Sequence, residues 1–160
     1  MRRNIFVVAL IAAIAAFATA AFADNPHFIS GPTCDQTSPN TIECAGKVAG
    51  LGNGPVYVVT NTEAGCTNQD GSHVVPGHST SISGPFNTTN GQFTFGPDTD
   101  NRVIASGPSR CPGGLEPFIS TEGLTLSIYQ CTSGSPTFNK KTGAQTNSSC
   151  TLVLGPVSPA

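Results

Sequence analysis

Tryptophan is absent from this 160-residue chain, tyrosine occurs only at Tyr57 and Tyr129, and the sole methionine is Met1. Sugar-binding sandwiches tend to stack exposed aromatic rings on their ligand, and the chain is poorly equipped for that mode. Of its nine Phe, three (Phe6, Phe17, Phe22) fall within the first 23 residues, and the other six read as core. Charge is also scarce, at 10% of residues. No basic run is long enough to follow a phosphate backbone, which excludes nucleic-acid binding, and anionic membrane surfaces are disfavoured on the same ground. Helix-length segments are missing too. Beyond residue 23 the longest stretch free of Gly and Pro is Ala144–Leu154, eleven residues that include Asn147-Ser148-Ser149. That leaves almost no room for an ordinary helix of about 11 residues.

What the chain does have begins at its start. Arg2 and Arg3 precede an apolar stretch from Ile5 to Ala18, and the segment ends Ala21-Phe22-Ala23. A basic region, an apolar core and a small-x-small exit form a secretory signal peptide, cleaved between Ala23 and Asp24. The apolar stretch is short for a membrane span, and no second one follows, so no span is expected in the mature form. The expected organisation is a leader over residues 1–23 and one secreted, extracellular domain over residues 24–160. Loss of Arg2 and Arg3 from the seven Lys+Arg leaves five against nine Asp+Glu, moving the formal charge from −2 to −4.

All 18 Gly and 13 Pro lie after the leader and punctuate it every few residues. Short strands with frequent turns fit that pattern. Candidate strands are Phe28-Ile29, Thr41–Ala45 running on through Lys47-Val48, Val56–Thr60, Ser79–Ser83, Gly91–Gly96, Asn101–Ala105, Pro117–Ser120, Leu124–Tyr129 and Cys150–Leu154. In the Leu124–Tyr129 segment, Leu124, Leu126 and Ile128 face inward and Thr125 and Ser127 outward. Eight or nine short strands of this kind predict an all-β, antiparallel two-sheet sandwich, immunoglobulin-like or related. A small closed barrel is the alternative.

Six cysteines, Cys34, Cys44, Cys66, Cys111, Cys131 and Cys150, all follow the leader. A zinc site needs close pairs such as C-x₂-C, and the smallest gap here is ten. In an exported chain an even number implies three disulfides, for which fifteen pairings exist. The preferred scheme is Cys34–Cys44, Cys66–Cys111 and Cys131–Cys150, the first and last closing local loops around Ser38-Pro39-Asn40 and Ser133–Pro136.

Chemistry-bearing motifs are few. Gly77-His78-Ser79-Thr80-Ser81 approaches the G-x-S-x-G nucleophile elbow, but Ser81 stands where the sharp turn wants Gly and no helix follows. A polar loop entering a strand is the plainer reading. His73 and His78 share a loop with Asp70, yet spacing fixes no third metal ligand, and loop histidines are usually solvated. Asp98-Thr99-Asp100-Asn101 begins like a calcium loop, but an EF-hand would want Gly and Glu where Val103 and Ser109 stand. A turn between strands accounts for it better. His27 is fourth after cleavage and follows Pro26, so an amino-terminal copper site fails. Glu43, Glu63, Glu116 and Glu122 suggest no acid/base pair by spacing. Asn87-Thr88-Thr89 and Asn147-Ser148-Ser149 are glycosylation acceptors only in a host that makes such glycans, and the leader looks bacterial. No metal or cofactor is expected.

Some strings are familiar together: Asn25-Pro26-His27-Phe28 after an export signal, Ala49-Gly50-Leu51-Gly52-Asn53 before a Val-rich strand, Gly65-Cys66-Thr67-Asn68, and Arg110-Cys111-Pro112-Gly113. Over most of Asn25–Gln130 the chain resembles a loose group of small secreted bacterial all-β proteins. That resemblance implies export, an all-β fold and a Cys66–Cys111 bridge, and carries no catalytic residues to transfer. Cys34, Cys44, Cys131 and Cys150 depart from the commoner two-cysteine pattern. The expected function is that of a secreted, non-enzymatic module that binds an extracellular protein or surface ligand, or forms part of the cell exterior. A small extracellular hydrolase centred on His73 or His78 is the alternative, and a secreted inhibitor or toxin-like module a third reading.

Overall fold

The computed structural model describes residues 25–139 and 144–160. The expected leader, its expected cleavage pair Ala23 and Asp24, and Lys140 and Lys141 lie outside the described residues. Nine strands form: β1 (His27–Ser38), β2 (Thr41–Ala49), β3 (Val56–Thr67), β4 (His73–Phe86), β5 (Phe93–Phe95), β6 (Val103–Ser106), β7 (Glu116–Ile119), β8 (Thr125–Cys131) and β9 (Cys150–Val157). There is no helix among the described residues. All pairings are antiparallel and build two sheets. In one, β2 is flanked by β1 on one side and by β5 and β6, end to end, on the other. In the second, β3 is flanked by β4 on one side and by β8 and β7 on the other, with β9 beyond β8. The result is a disulfide-stapled β-sandwich rather than a closed barrel.

Alternation along the central strands supplies the core. Ile42, Cys44 and Val48 of β2 meet Val56, Val58 and Ala64 of β3, and Leu124, Leu126 and Ile128 join them. Phe86, Phe93 and Phe95 stack in series at ring separations of 5.8 and 5.3 Å. Apolar burial of this extent is the main force favouring the folded chain.

The strand Val56–Thr60 is buried on both faces. Its outward residues, Tyr57 and Val59, form a second cluster with Tyr129, Cys131 and Cys150. Residues 132–139 fold back over it. Phe138 meets Tyr129 edge-on at 5.5 Å, Pro136 is fully buried, and the Tyr57 hydroxyl donates to Gly134 O at 2.8 Å. Burial there pushes the Tyr129 phenol above its ordinary pKa. The Cys131–Cys150 bridge closes this flap at its base. Cys34–Cys44 likewise joins directly opposed residues of β1 and β2, and Cys66–Cys111 ties the end of β3 to the loop before β7.

The strands are not uniformly short, because β1, β3 and β4 run to 12, 12 and 14 residues. Gly and Pro mislead as turn signals here. The edge strands β1, β4 and β9 each carry a cis Gly-Pro step, at Gly31-Pro32, Gly84-Pro85 and Gly155-Pro156. Each step falls where register with the neighbouring strand shifts. The glycines have φ of 70°, 128° and 103°. A Cβ at each would lie 2.9, 2.7 and 2.6 Å from Ala45 O, Val56 O and Leu126 O of the inner strands. Such interruptions break the edges of β1 and β9, whereas β4 keeps an unbroken register from Val75 to Ser83.

Both margins of the sandwich are laced. Ser81 and Ser83 of β4 accept from the backbone N–H groups of Ser106 and Ile104 of β6, and the Ser79 hydroxyl donates to Ser106 O at 2.6 Å. At the opposite margin Ala160 N–H donates to Pro32 O at 3.0 Å.

Candidate functional site

Three regions hold the residues that sequence singled out, and two of them are engaged by the fold. Ser79 sits inside β4, not on an elbow, with its hydroxyl committed to the margin. His78 pairs across to Glu63 while Ser79 pairs to Thr62, so the two side chains point to opposite faces. An open groove of about 380 Å³ beside them is lined by Val75, Pro76, His78, Ser79 and Gly107. His73 lies at the start of β4, opposite Thr67. Asp70 is in the exposed turn between β3 and β4. The Ser72 backbone N–H and then its hydroxyl hold the Asp70 carboxyl below the usual range, with Asn68 sharing the same donors. Asp70 thus closes a turn, its carboxyl accepting from Ser72.

The glutamates are dispersed. Glu43 is buried on β2 and receives Arg102 Nε and Nη2 at 2.7 and 2.8 Å. That hydrogen-bonded guanidinium lowers its carboxyl pKa against the opposing effect of burial. Glu116 opens β7 opposite Thr67, and the Glu122 N–H donates to the Ser120 hydroxyl in the turn before β8. His27 is exposed at the start of β1 against Asn25 O. Among the described residues no group of three or more His, Cys, Asp or Glu is placed to hold a metal.

The third region is built differently. Lys47 of β2 and Thr94 of β5, cross-strand partners, form part of an open groove of about 730 Å³. One wall is a two-residue hairpin turn. Asn90 and Gly91 adopt φ of 52° and 70°, while Thr89 and Gln92 exchange both backbone hydrogen bonds. Asn-Gly is favoured in such turns because both residues tolerate positive φ. Leu51 N–H anchors the turn through Gly91 O at 2.9 Å.

The opposite wall is the Asp98–Asn101 turn. The Thr99 hydroxyl lies 3.0 Å from Gly96 O and accepts from Asn101 N–H at 3.2 Å, and Asn101 Nδ2 donates to Thr94 O at 2.9 Å. Asp98 and Asp100 project from this braced turn and are exposed. Among the described residues, no hydrogen bond or ion pair engages the side chains of Lys47, Asn87, Asn90, Gln92, Asp98 or Asp100. Two amides elsewhere are committed: Gln130 bonds the Gly52 backbone at both ends of its amide, and Asn147 ties Thr137 to Ser135.

Sequence reasoning named Asp98–Asn101 and Asn87 separately and missed Lys47, Asn90, Gln92 and Thr94. The Asn90-Gly91 pair was the available signal for a hairpin. Comparison with protein-family models, with curated proteins and with solved structures finds no match to this chain.

Proposed function

We propose that this chain is an exported, non-enzymatic binding module whose recognition surface is the polar groove between the Thr89–Gln92 turn and the Asp98–Asn101 turn. One observation carries the reading: unengaged donors and acceptors gather there on rigid backbone, whereas Ser79, Asp70 and Glu43 are engaged in holding the fold. Export is supported by the leader pattern and by three disulfides, which persist in oxidising compartments. The interrupted edges of β1 and β9, and the lacing of β4 to β6 through Ser79, Ser81 and Ser83, speak against assembly by strand addition, which favours recognition through the groove over a polymerising structural role.

The test is retention of the oxidised protein on extracellular material collected around the producing cells, compared with a Lys47→Ala/Asn87→Ala variant of equal melting temperature. Retention that drops at least about tenfold in the variant, without turnover of an ester and glycoside panel, is the expected result. Equal retention, or turnover that survives in the variant and vanishes in His78→Ala, would overturn it.

A further inference from the structure

The balance of groups in the groove narrows its ligand, given the reading of that groove as the recognition surface. Lys47 only donates, Asp98 and Asp100 only accept, and Asn87, Asn90 and Gln92 do both. Phosphates, sulfates and carboxylates only accept, and they would face two carboxylates for one ammonium. An amine only donates and would leave Lys47 and the amide NH₂ groups without partners. An apolar ligand finds no exposed apolar side chain to cover, since Phe93, the aromatic ring in the lining, is 3% exposed. Hydroxyl groups both donate and accept, so a ligand dense in them can satisfy every group present.

Shape adds a second restriction. A volume of about 730 Å³ lies within the range of small-molecule sites, but such sites are enclosed and largely apolar, and this one is an open trough. An open trough grips a segment of a longer chain along one side. A peptide segment would bring apolar side chains and would need subpockets for them, and the polar lining offers none. We propose that the groove binds a segment of an uncharged polysaccharide, held by hydrogen bonds from Lys47, to the two aspartates and in both directions with the amides, without a stacked aromatic ring.

The experiment is a chemical-shift titration of the ¹⁵N-labelled, oxidised protein exported as the full chain. The probes are neutral tetrasaccharides of glucose, mannose, galactose and N-acetylglucosamine, with calcium chloride, a sulfated tetrasaccharide and a neutral tetrapeptide as comparison arms. At least one neutral tetrasaccharide should give saturable shifts confined to residues 87–101 and Lys47. Asn87→Ala should weaken that binding roughly three- to tenfold, the loss expected for one hydrogen bond. Asp98→Asn, which keeps an acceptor and removes a charge, should weaken it less. Saturation of the groove only by calcium, lost in Asp98→Asn, or only by the sulfated probe or the peptide, would overturn the glycan assignment and leave the groove as the binding site. Saturable shifts only outside the groove, or none with any probe, would overturn both.

Discussion

Gly84 is the sharpest test of how the sheet edges are built. Its φ of 128° is a backbone region open essentially to glycine, costing other residues about 1–3 kcal/mol. A Cβ there would stand 2.7 Å from Val56 O and 3.0 Å from Tyr57 Cδ1. The oxygen belongs to the central strand, so relief requires β3 or β4 to move, an overpacking penalty of about 1–3 kcal/mol. Gly84→Ala should therefore lose about 2–6 kcal/mol. Gly71 supplies the control, with a φ of 83° and no atom within 4 Å of where a methyl group would sit. Gly71→Ala should lose only the conformational cost, about 1–2 kcal/mol. Urea unfolding of the oxidised variants, followed by far-ultraviolet circular dichroism because tryptophan is absent, measures both. With a slope of about 2 kcal/mol/M, Gly84→Ala should shift the midpoint roughly 2 M and Gly71→Ala less than about 1 M. Equal shifts would show that the close approach to Val56 is unimportant and refute the reasoning. Should Gly84→Ala fail to fold, Gly31→Ala gives the same comparison against Ala45 O.

Other substitutions probe the remaining parts of the fold. The Thr60 hydroxyl is buried without a hydrogen-bond partner among the described residues, so Thr60→Val should raise stability by about 1 kcal/mol in the same urea assay. Replacing Cys131 and Cys150 together with Ser should cost about 3 kcal/mol in loop entropy and increase binding of an apolar fluorescent dye as Tyr57 and Tyr129 lose their cover. Arg102 depresses the folded pKa of Glu43, so that pair stabilises the protein above the unfolded value near 4.5 and fades as pH falls through the lower folded value. Melting curves should accordingly show wild type above Glu43→Gln at pH 7, with the gap closing as pH is lowered toward 3.

Much of the architecture was legible because the limiting signals are local. Gly and Pro left no room for helices, and the alternation of Leu124, Leu126 and Ile128 placed them in the core, where all three are buried. Strand lengths were not legible, since Gly31-Pro32, Gly84-Pro85 and Gly155-Pro156 interrupt edge strands without ending them. Nor was the two-sided burial of Val56–Thr60, which depends on a flap arriving from residues 132–139. The Glu43–Arg102 pair and the groove share one cause of illegibility: their members are far apart in sequence and meet only when β2 pairs with β5 and β6. Spacing can suggest a local turn at Asp98–Asn101, but it carries no information about Lys47 lying across from it.

The central claim is that this sandwich recognises its ligand in the groove framed by residues 87–101. Hydrogen–deuterium exchange, with and without a saturating neutral polysaccharide fraction from the protein's surroundings, tests it most directly. Added protection confined to residues 87–101 and the neighbouring part of β2 around Lys47 is the expected result. Protection instead at residues 75–79 and 106–108, beside His78, would contradict the claim and move the functional site to the other groove.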